Sequence, residues 1–93
     1  MASEVRRNDA DDRYELLVDG RLVGIADFRV AGAAVDIPHT EIEPRLRGQG
    51  LGAILVKGVL DDIRDAGRTV IPSCWYVRRY IDEHPAEADL LAG

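Results

Sequence analysis

The segment Arg47-Gly48-Gln49-Gly50-Leu51-Gly52, which opens straight into the helical run Ala53 to Ala66, constrains this chain more than any other. Three glycines in five residues remove side chains where a loop becomes a helix, so several backbone N–H groups face outward with the helix dipole behind them. Such a turn is a cradle for an anion. Arg45 and Arg47 bring positive charge beside it, and a phosphate or pyrophosphate is the ligand that fits best. Two other glycine motifs fit less well. Gly48, Gly50 and Ala53 satisfy a G-x-G-x-x-A dinucleotide fingerprint, but no acidic residue stands near position 70 to take a ribose. A P-loop needs Lys and then Ser or Thr after its second glycine, whereas Lys57 lies well inside the helix and is followed by Gly58. Alone, the motif would be read equally well as a turn that merely starts a helix.

The surrounding elements supply the frame. Tyr14, Leu16 and Val18 alternate, Asp19-Gly20 marks a tight reversal, and Leu22 to Val30 returns with Leu22, Ala26, Phe28 and Val30 on one face, which reads as a β-hairpin. After the small residues Ala31 to Ala34, Val35 to Ile42 reads as a third long strand interrupted by Pro38, whose missing N–H predicts a bulge or a splay. Leu51, Ile54, Leu55, Val59, Ile63 and Ala66 recur at helical spacing, with Gly67 placed to cap the end. Thr69-Val70-Ile71 is then a short buried strand, parallel to the third if the helix makes an ordinary right-handed crossover. Trp75 to Glu83 has the spacing of a short second helix stopped by His84-Pro85, and Ala86 to Leu91 reads as a terminal helical turn. The expected fold class is α/β: a mixed sheet, antiparallel strands followed by a βαβ unit, with residues 1–93 forming one small domain.

Charge narrows the partners. The net charge is −5, and no Lys/Arg cluster interleaves with aromatics, so a nucleic-acid backbone would be repelled over most of the surface. Met1 to Asp12 is polar, without the pattern of a secretory leader, and no apolar run reaches the length of a membrane span, which leads us to expect a cytoplasmic protein without membrane association. One cysteine and two distant histidines predict neither an internal disulfide nor a metal centre.

The order of elements, together with His39-Thr40-Glu41, Arg47 to Gly52, Val70-Ile71-Pro72-Ser73-Cys74, Tyr80-Ile81 and His84-Pro85, resembles the GNAT-type N-acetyltransferases. It is most similar to their small stand-alone members, the YjdJ-type N-acetyltransferase domain family. The spacing Arg-x-x-Gly-x-Gly resembles that family's acyl-coenzyme A pyrophosphate loop. The resemblance implies acetyl-coenzyme A in a cleft where the third strand and the Val70 strand part. Backbone groups of Glu41, Ile42 and Glu43 would follow the pantetheine arm, while Arg47, Gly48 and the N–H groups of Gln49, Gly50, Leu51 and Gly52 would meet the pyrophosphate. It further implies that Cys74 lies beside the thioester carbonyl, as a nucleophile or as a positioning group, and that His39 is a general base. Tyr80 stands near the position of the family's tyrosine acid, one residue short of the usual spacing. The chain departs from larger relatives in lacking a helical segment over the acceptor site, and in carrying His84-Pro85 where Gly-Phe is common.

The same residues have plainer readings. A lone cysteine is usually a small buried hydrophobe, and His39 can be a strand histidine hydrogen-bonded to its neighbours. Glu41 is an alternative base or a solvated carboxylate, Tyr76 and Tyr80 are core or rim aromatics, and Trp75 packs over the cleft. The function expected is an acetyl-coenzyme A-dependent N-acetyltransferase acting on an amine of a small molecule or protein. The alternative is a non-catalytic acyl-coenzyme A binding or sensing module, and a third reading is an interaction domain whose glycine turn is unused.

Overall fold

Alternating apolar residues in the first half pair strands in chain order. The computed structural model describes residues 2–93 and contains β1 (Ser3–Asn8), β2 (Arg13–Val18), β3 (Arg21–Ala31), β4 (Ala34–Ile42), α1 (Leu51–Asp65), β5 (Thr69–Ile71) and α2 (Trp75–Glu83), with 3-10 turns at Pro44–Leu46 and Pro85–Leu90. The five strands form one sheet in the order β1-β2-β3-β4-β5, antiparallel as far as β4 and parallel between β4 and β5. This is the mixed α/β sheet expected, with the right bounds for α2 and β5. Helix α1 starts at Leu51, the first residue of the apolar periodicity and two residues before the helical run read from Ala53.

Strand β1 falls in the segment read only as polar. Its one apolar residue, Val5, faces the helix layer, while Arg6 and Glu4 stand on the other face, so the pattern is an edge strand's rather than a core strand's. Glycine at position 58 lets it approach: a Cβ there would lie 2.6 Å from the Val5 Cβ.

Both helices lie on one face of the sheet. Leu51, Leu55, Val56, Val59, Leu60 and Ile63 of α1 and Val77, Tyr80 and Ile81 of α2 pack on Tyr14, Leu16, Ala26, Val35, Ile37 and Val70. Tyr14 adds a polar tie to α1, its hydroxyl donating to Asp62 at 2.7 Å. At the end of α1 the N–H groups of Gly67 and Arg68 bond back to Arg64 and Ile63, which satisfies the last carbonyls as the Gly67 cap predicts. Among the described residues no helix is long and apolar enough to cross a membrane.

Two register shifts adjust the sheet. Between β2 and β3 an extra residue at Val23 buries that valine and turns Leu22 to the opposite face, 42% exposed, so Leu22 does not share the inner face of Ala26 and Phe28 as expected. Val30 likewise reaches beyond the helices and is exposed. The second shift lies where Pro38 predicted it: Asp27 pairs with His39 and Arg29 with Asp36, so Ile37 and Pro38 together oppose Phe28.

Candidate functional site

The bulge at Ile37-Pro38 opens the sheet. Strands β4 and β5 pair from Ala34–Thr69 to Asp36–Ile71, and one further bond joins the Cys74 N–H to the Ile37 carbonyl at 2.8 Å. Beyond it β4 runs on to Ile42 while the other chain turns into α2. The gap becomes a cleft of about 780 Å³, with Pro38 to Ile42 on one wall, Ser73 to Tyr76 on the other, and the α1 entrance at one end.

The glycine turn closes that end as a nest of free donors. Gly48 and Gly50 hold φ of +83° and +78°, and a Cβ at either would meet nothing within 4 Å, so the strain rather than the space demands glycine. Gly50 is the residue before α1 and offers no side-chain cap; the first backbone bond there is Ile54 N–H to the Gly50 carbonyl. Among the described residues, the N–H groups of Gly48 to Ala53 consequently have no acceptor. An anion is what satisfies such a run. Among the described residues Arg47 lines the cleft with no carboxylate partner, but Arg45 does not join it, because Glu43 draws it away with an Nε–Oε1 bond of 2.9 Å.

Gly52 serves a different purpose. Its backbone is helical, and a Cβ there would lie 2.7 Å from the Tyr76 hydroxyl oxygen. The missing side chain lets Tyr76 of α2 lie against the first turn of α1, so its ring joins the α2 wall to the α1 end of the cleft. Sequence reasoning took Tyr76 as a core or rim aromatic; the small residue facing it, Gly52, was the available signal. Trp75 beside it is 69% exposed at the cleft mouth, with its ring edge-on to Tyr76.

At the other end lies Cys74, the residue preceding α2. Its Sγ is 3.4 Å from the Thr40 Oγ1 across the cleft. Burial pushes the thiol pKa up, but the Thr40 hydroxyl and the N–H groups of Val77, Tyr76 and Thr40 favour the thiolate more, and the net shift is downward. The turn that carries Cys74 is fixed from the other face of β4, where the Ser73 hydroxyl donates to Asp36 at 2.6 Å.

The bulge also decides which side chains face which way. Val35 and Ile37 point to the helices, and after the extra residue Thr40 and Ile42 do, leaving His39 and Glu41 on the open face with His39 Nε2 3.6 Å from Glu41 Oε2. Of the sequence candidates, His39, Glu41, Ile42, Arg47, Gly48, Gly50, Leu51, Gly52 and Cys74 line the cleft. Gln49 and Glu43 do not. The Glu43 N–H is spent on the Val23 carbonyl at 2.8 Å, and its carboxylate lies between Arg21 and Arg45, which hold it below the usual range. Tyr80 is buried away from the cleft and stacks on His84, whose Nδ1 lies 2.7 Å from the Tyr80 carbonyl. Tyr80, which the resemblance set near the chemistry despite its short spacing, is thus held at the proline-stopped helix end.

Known proteins are similar to this chain in sequence and in fold. Protein NATD1 of Gallus gallus is 32% identical over 81 residues, covering 87% of this chain, and Protein NATD1 of Homo sapiens is also 32% identical over 81 residues. The chain spans 66% and 64% of their respective lengths. Among solved structures, a GCN5-like protein from Staphylococcus aureus superposes with a TM-score of 0.72 at 22% identity, over 97% of this chain and 88% of that one. N-acetylglutamate synthase from Neisseria gonorrhoeae, complexed with coenzyme A and N-acetyl-glutamate, gives 0.58 at 18% identity, over 94% of this chain and 26% of that one. The GCN5-related N-acetyl-transferase family matches residues 13–90, a span holding the bulged strand, the nest and the Cys74 turn, and this chain belongs to that family.

Proposed function

We propose that this chain is an acetyl-coenzyme A-dependent N-acetyltransferase. The observation that carries the reading is the run of unpartnered N–H groups from Gly48 to Ala53 at one end of a cleft whose other end holds Cys74 and His39. The donor set suits a pyrophosphate, and the distantly similar N-acetylglutamate synthase is complexed with coenzyme A. When bound, acetyl-coenzyme A supplies an acetyl group already activated as a thioester.

The chain's own residues then divide the work. N–H groups of Gly48 and of Gly50 to Gly52, with the Arg47 guanidinium, hold the diphosphate. The backbone of Glu41 and Ile42, left without a partner strand on the β5 side, offers hydrogen bonds along the pantetheine arm. Tyr76 closes the corner between the α2 wall and the α1 entrance and limits water there. Transfer would be a direct attack by the acceptor amine, the amide C–N bond forming as the thioester C–S bond breaks and coenzyme A leaving as its thiol with the proton lost from the attacking nitrogen, while orientation and a backbone N–H beyond the bulge lower the barrier. His39, steered by Glu41, takes the proton from the acceptor ammonium. Cys74, restrained by Thr40, positions the reacting groups at the apex.

Isothermal titration with coenzyme A, followed by turnover of acetyl-coenzyme A against a panel of amines, tests this. Binding with turnover supports it; binding without turnover on any amine leaves an acyl-coenzyme A binding module, and no binding refutes both.

A further inference from the structure

The face of the sheet opposite the helices is bare in the described residues, and its charges are unevenly matched. Register places Asn8, Arg13, Asp27 and His39 in one row across β1 to β4, and Arg6, Glu15, Ile25 and Glu41 in the next. Every arginine on this face is engaged: Arg6 and Arg13 converge on Glu15 at 3.0 and 2.9 Å and Arg29 holds Asp36 at 3.1 Å, while at the hairpin end Arg21 holds Glu43 at 2.8 Å. Asp27, Glu4 and Glu41 keep no basic partner among the described residues except His39 beside Glu41. Asp27 is the direct register partner of His39, and it sits diagonally from Glu41, about 7–8 Å away on neighbouring strands. The residue proposed as base is thus flanked by two carboxylates at the edge of the cleft.

We infer that this open face docks the acceptor, and that the acceptor is a lysine presented by an extended, positively charged polypeptide segment. The inference rests on the acetyltransferase reading. It goes beyond that reading by naming the acceptor class. Charge complementarity selects a cation, since the face has free carboxylates and no free arginine. Its openness selects a polypeptide over a small amine: exposed Leu22 at 42% and exposed His39 and Glu41 form a surface without walls. Each exposed ion pair adds little, so a small amine would stay mostly hydrated. An extended segment adds several such contacts, with the apolar stems of its lysines over Leu22 and Ile25.

The test uses the full chain and three fluorescein-labelled twelve-residue peptides, one carrying four lysines, its acidic counterpart and a neutral one, with spermidine as a small-amine control. Anisotropy should show saturable binding of the basic peptide alone, weakening with salt. Asp27→Asn with Glu41→Gln should weaken it about five- to ten-fold, while Asp27→Asn alone leaves coenzyme A affinity unchanged. With acetyl-coenzyme A, mass spectrometry should find acetyl-lysine in that peptide. Equal binding of the acidic peptide, or undiminished binding by the double variant, overturns the docking face. Acetylation of spermidine in preference to the peptide overturns the polypeptide assignment. Loss of coenzyme A binding in the parent protein would instead refute the acetyltransferase reading, so the two failures are distinguishable.

Discussion

Gly50 offers the sharpest test of the nest, through a comparison of Gly50→Asp with Gly50→Asn. Both substitutions put a side chain at φ +78°, where a non-glycine residue costs about 1–2 kcal/mol, least for Asp and Asn. Both also supply a side-chain cap, which against glycine returns only a few tenths of a kcal/mol. A net cost of about 1 kcal/mol remains and no neighbour lies within 4 Å of the new Cβ, so both variants should melt about 4–8 °C below the parent and close to one another. Coenzyme A binding should separate them. The aspartate carboxylate would stand about 5 Å from a bound phosphate, and at an effective dielectric of about 20 the repulsion is about 3 kcal/mol per unit charge. Affinity should therefore fall about a hundred-fold further for Asp than for Asn. Titration calorimetry at about 0.1 M salt, with melting followed by circular dichroism, measures both quantities. Equal affinities for folded Asp and Asn variants would refute the claim that this turn holds a phosphate.

Three further outcomes follow from the geometry. Cys74 should react with an alkylating reagent at a lower pH than an ordinary thiol; Thr40→Val should move the inflection of its rate profile upward, coenzyme A should shield it, and a profile unchanged by Thr40→Val would show that this hydrogen bond does not tune the thiol. Gly52→Ala should displace Tyr76 and weaken coenzyme A binding more than it alters the melting temperature, because gained helix propensity offsets part of the clash; unchanged affinity would remove Tyr76 from the cleft wall. Glu15, bonded by Asn8, Arg6 and Arg13, has its pKa lowered to about 2, so its contribution to stability is complete above the unfolded carboxyl pKa of 4.5 and fades as pH falls toward 2. Urea midpoints of the parent and Glu15→Gln should accordingly differ at pH 7 and converge near pH 2, and a constant gap would contradict the assignment.

What the sequence revealed depended on how local the cause was. The hairpin, the Gly67 cap, the bounds of α2 and the bulge at Pro38 follow from turn residues, helix stops and one absent N–H, all readable within a few positions. Strand β1 was hidden because Val5 alone faces the core, and the strand depends on β2 and on the space at Gly58. The roles of the three loop glycines also needed three dimensions: Gly48 and Gly50 answer to backbone conformation, whereas Gly52 answers to Tyr76 more than twenty positions away. Arg45 looked equivalent to Arg47 until Glu43 was seen to hold it. The pairing of free and engaged charges on the open face has no linear signature at all, since Asp27 meets His39 only through register.

The extra residue in β4 makes that strand's length more critical than its spelling. Removing a single position near Pro38 would restore simple alternation and exchange the two sides beyond it. Thr40 and Ile42 would move into solvent, while His39 and Glu41 would turn beneath the helices, carrying two ionisable groups into the apolar layer. A substitution at any one of these sites alters one contact, but a deletion of one residue transposes cofactor side and acceptor side together. Variants of this protein should therefore tolerate changed residues along the strand far better than a changed count, and an insertion compensating a deletion within Ile37 to His39 should rescue function even when the restored sequence differs.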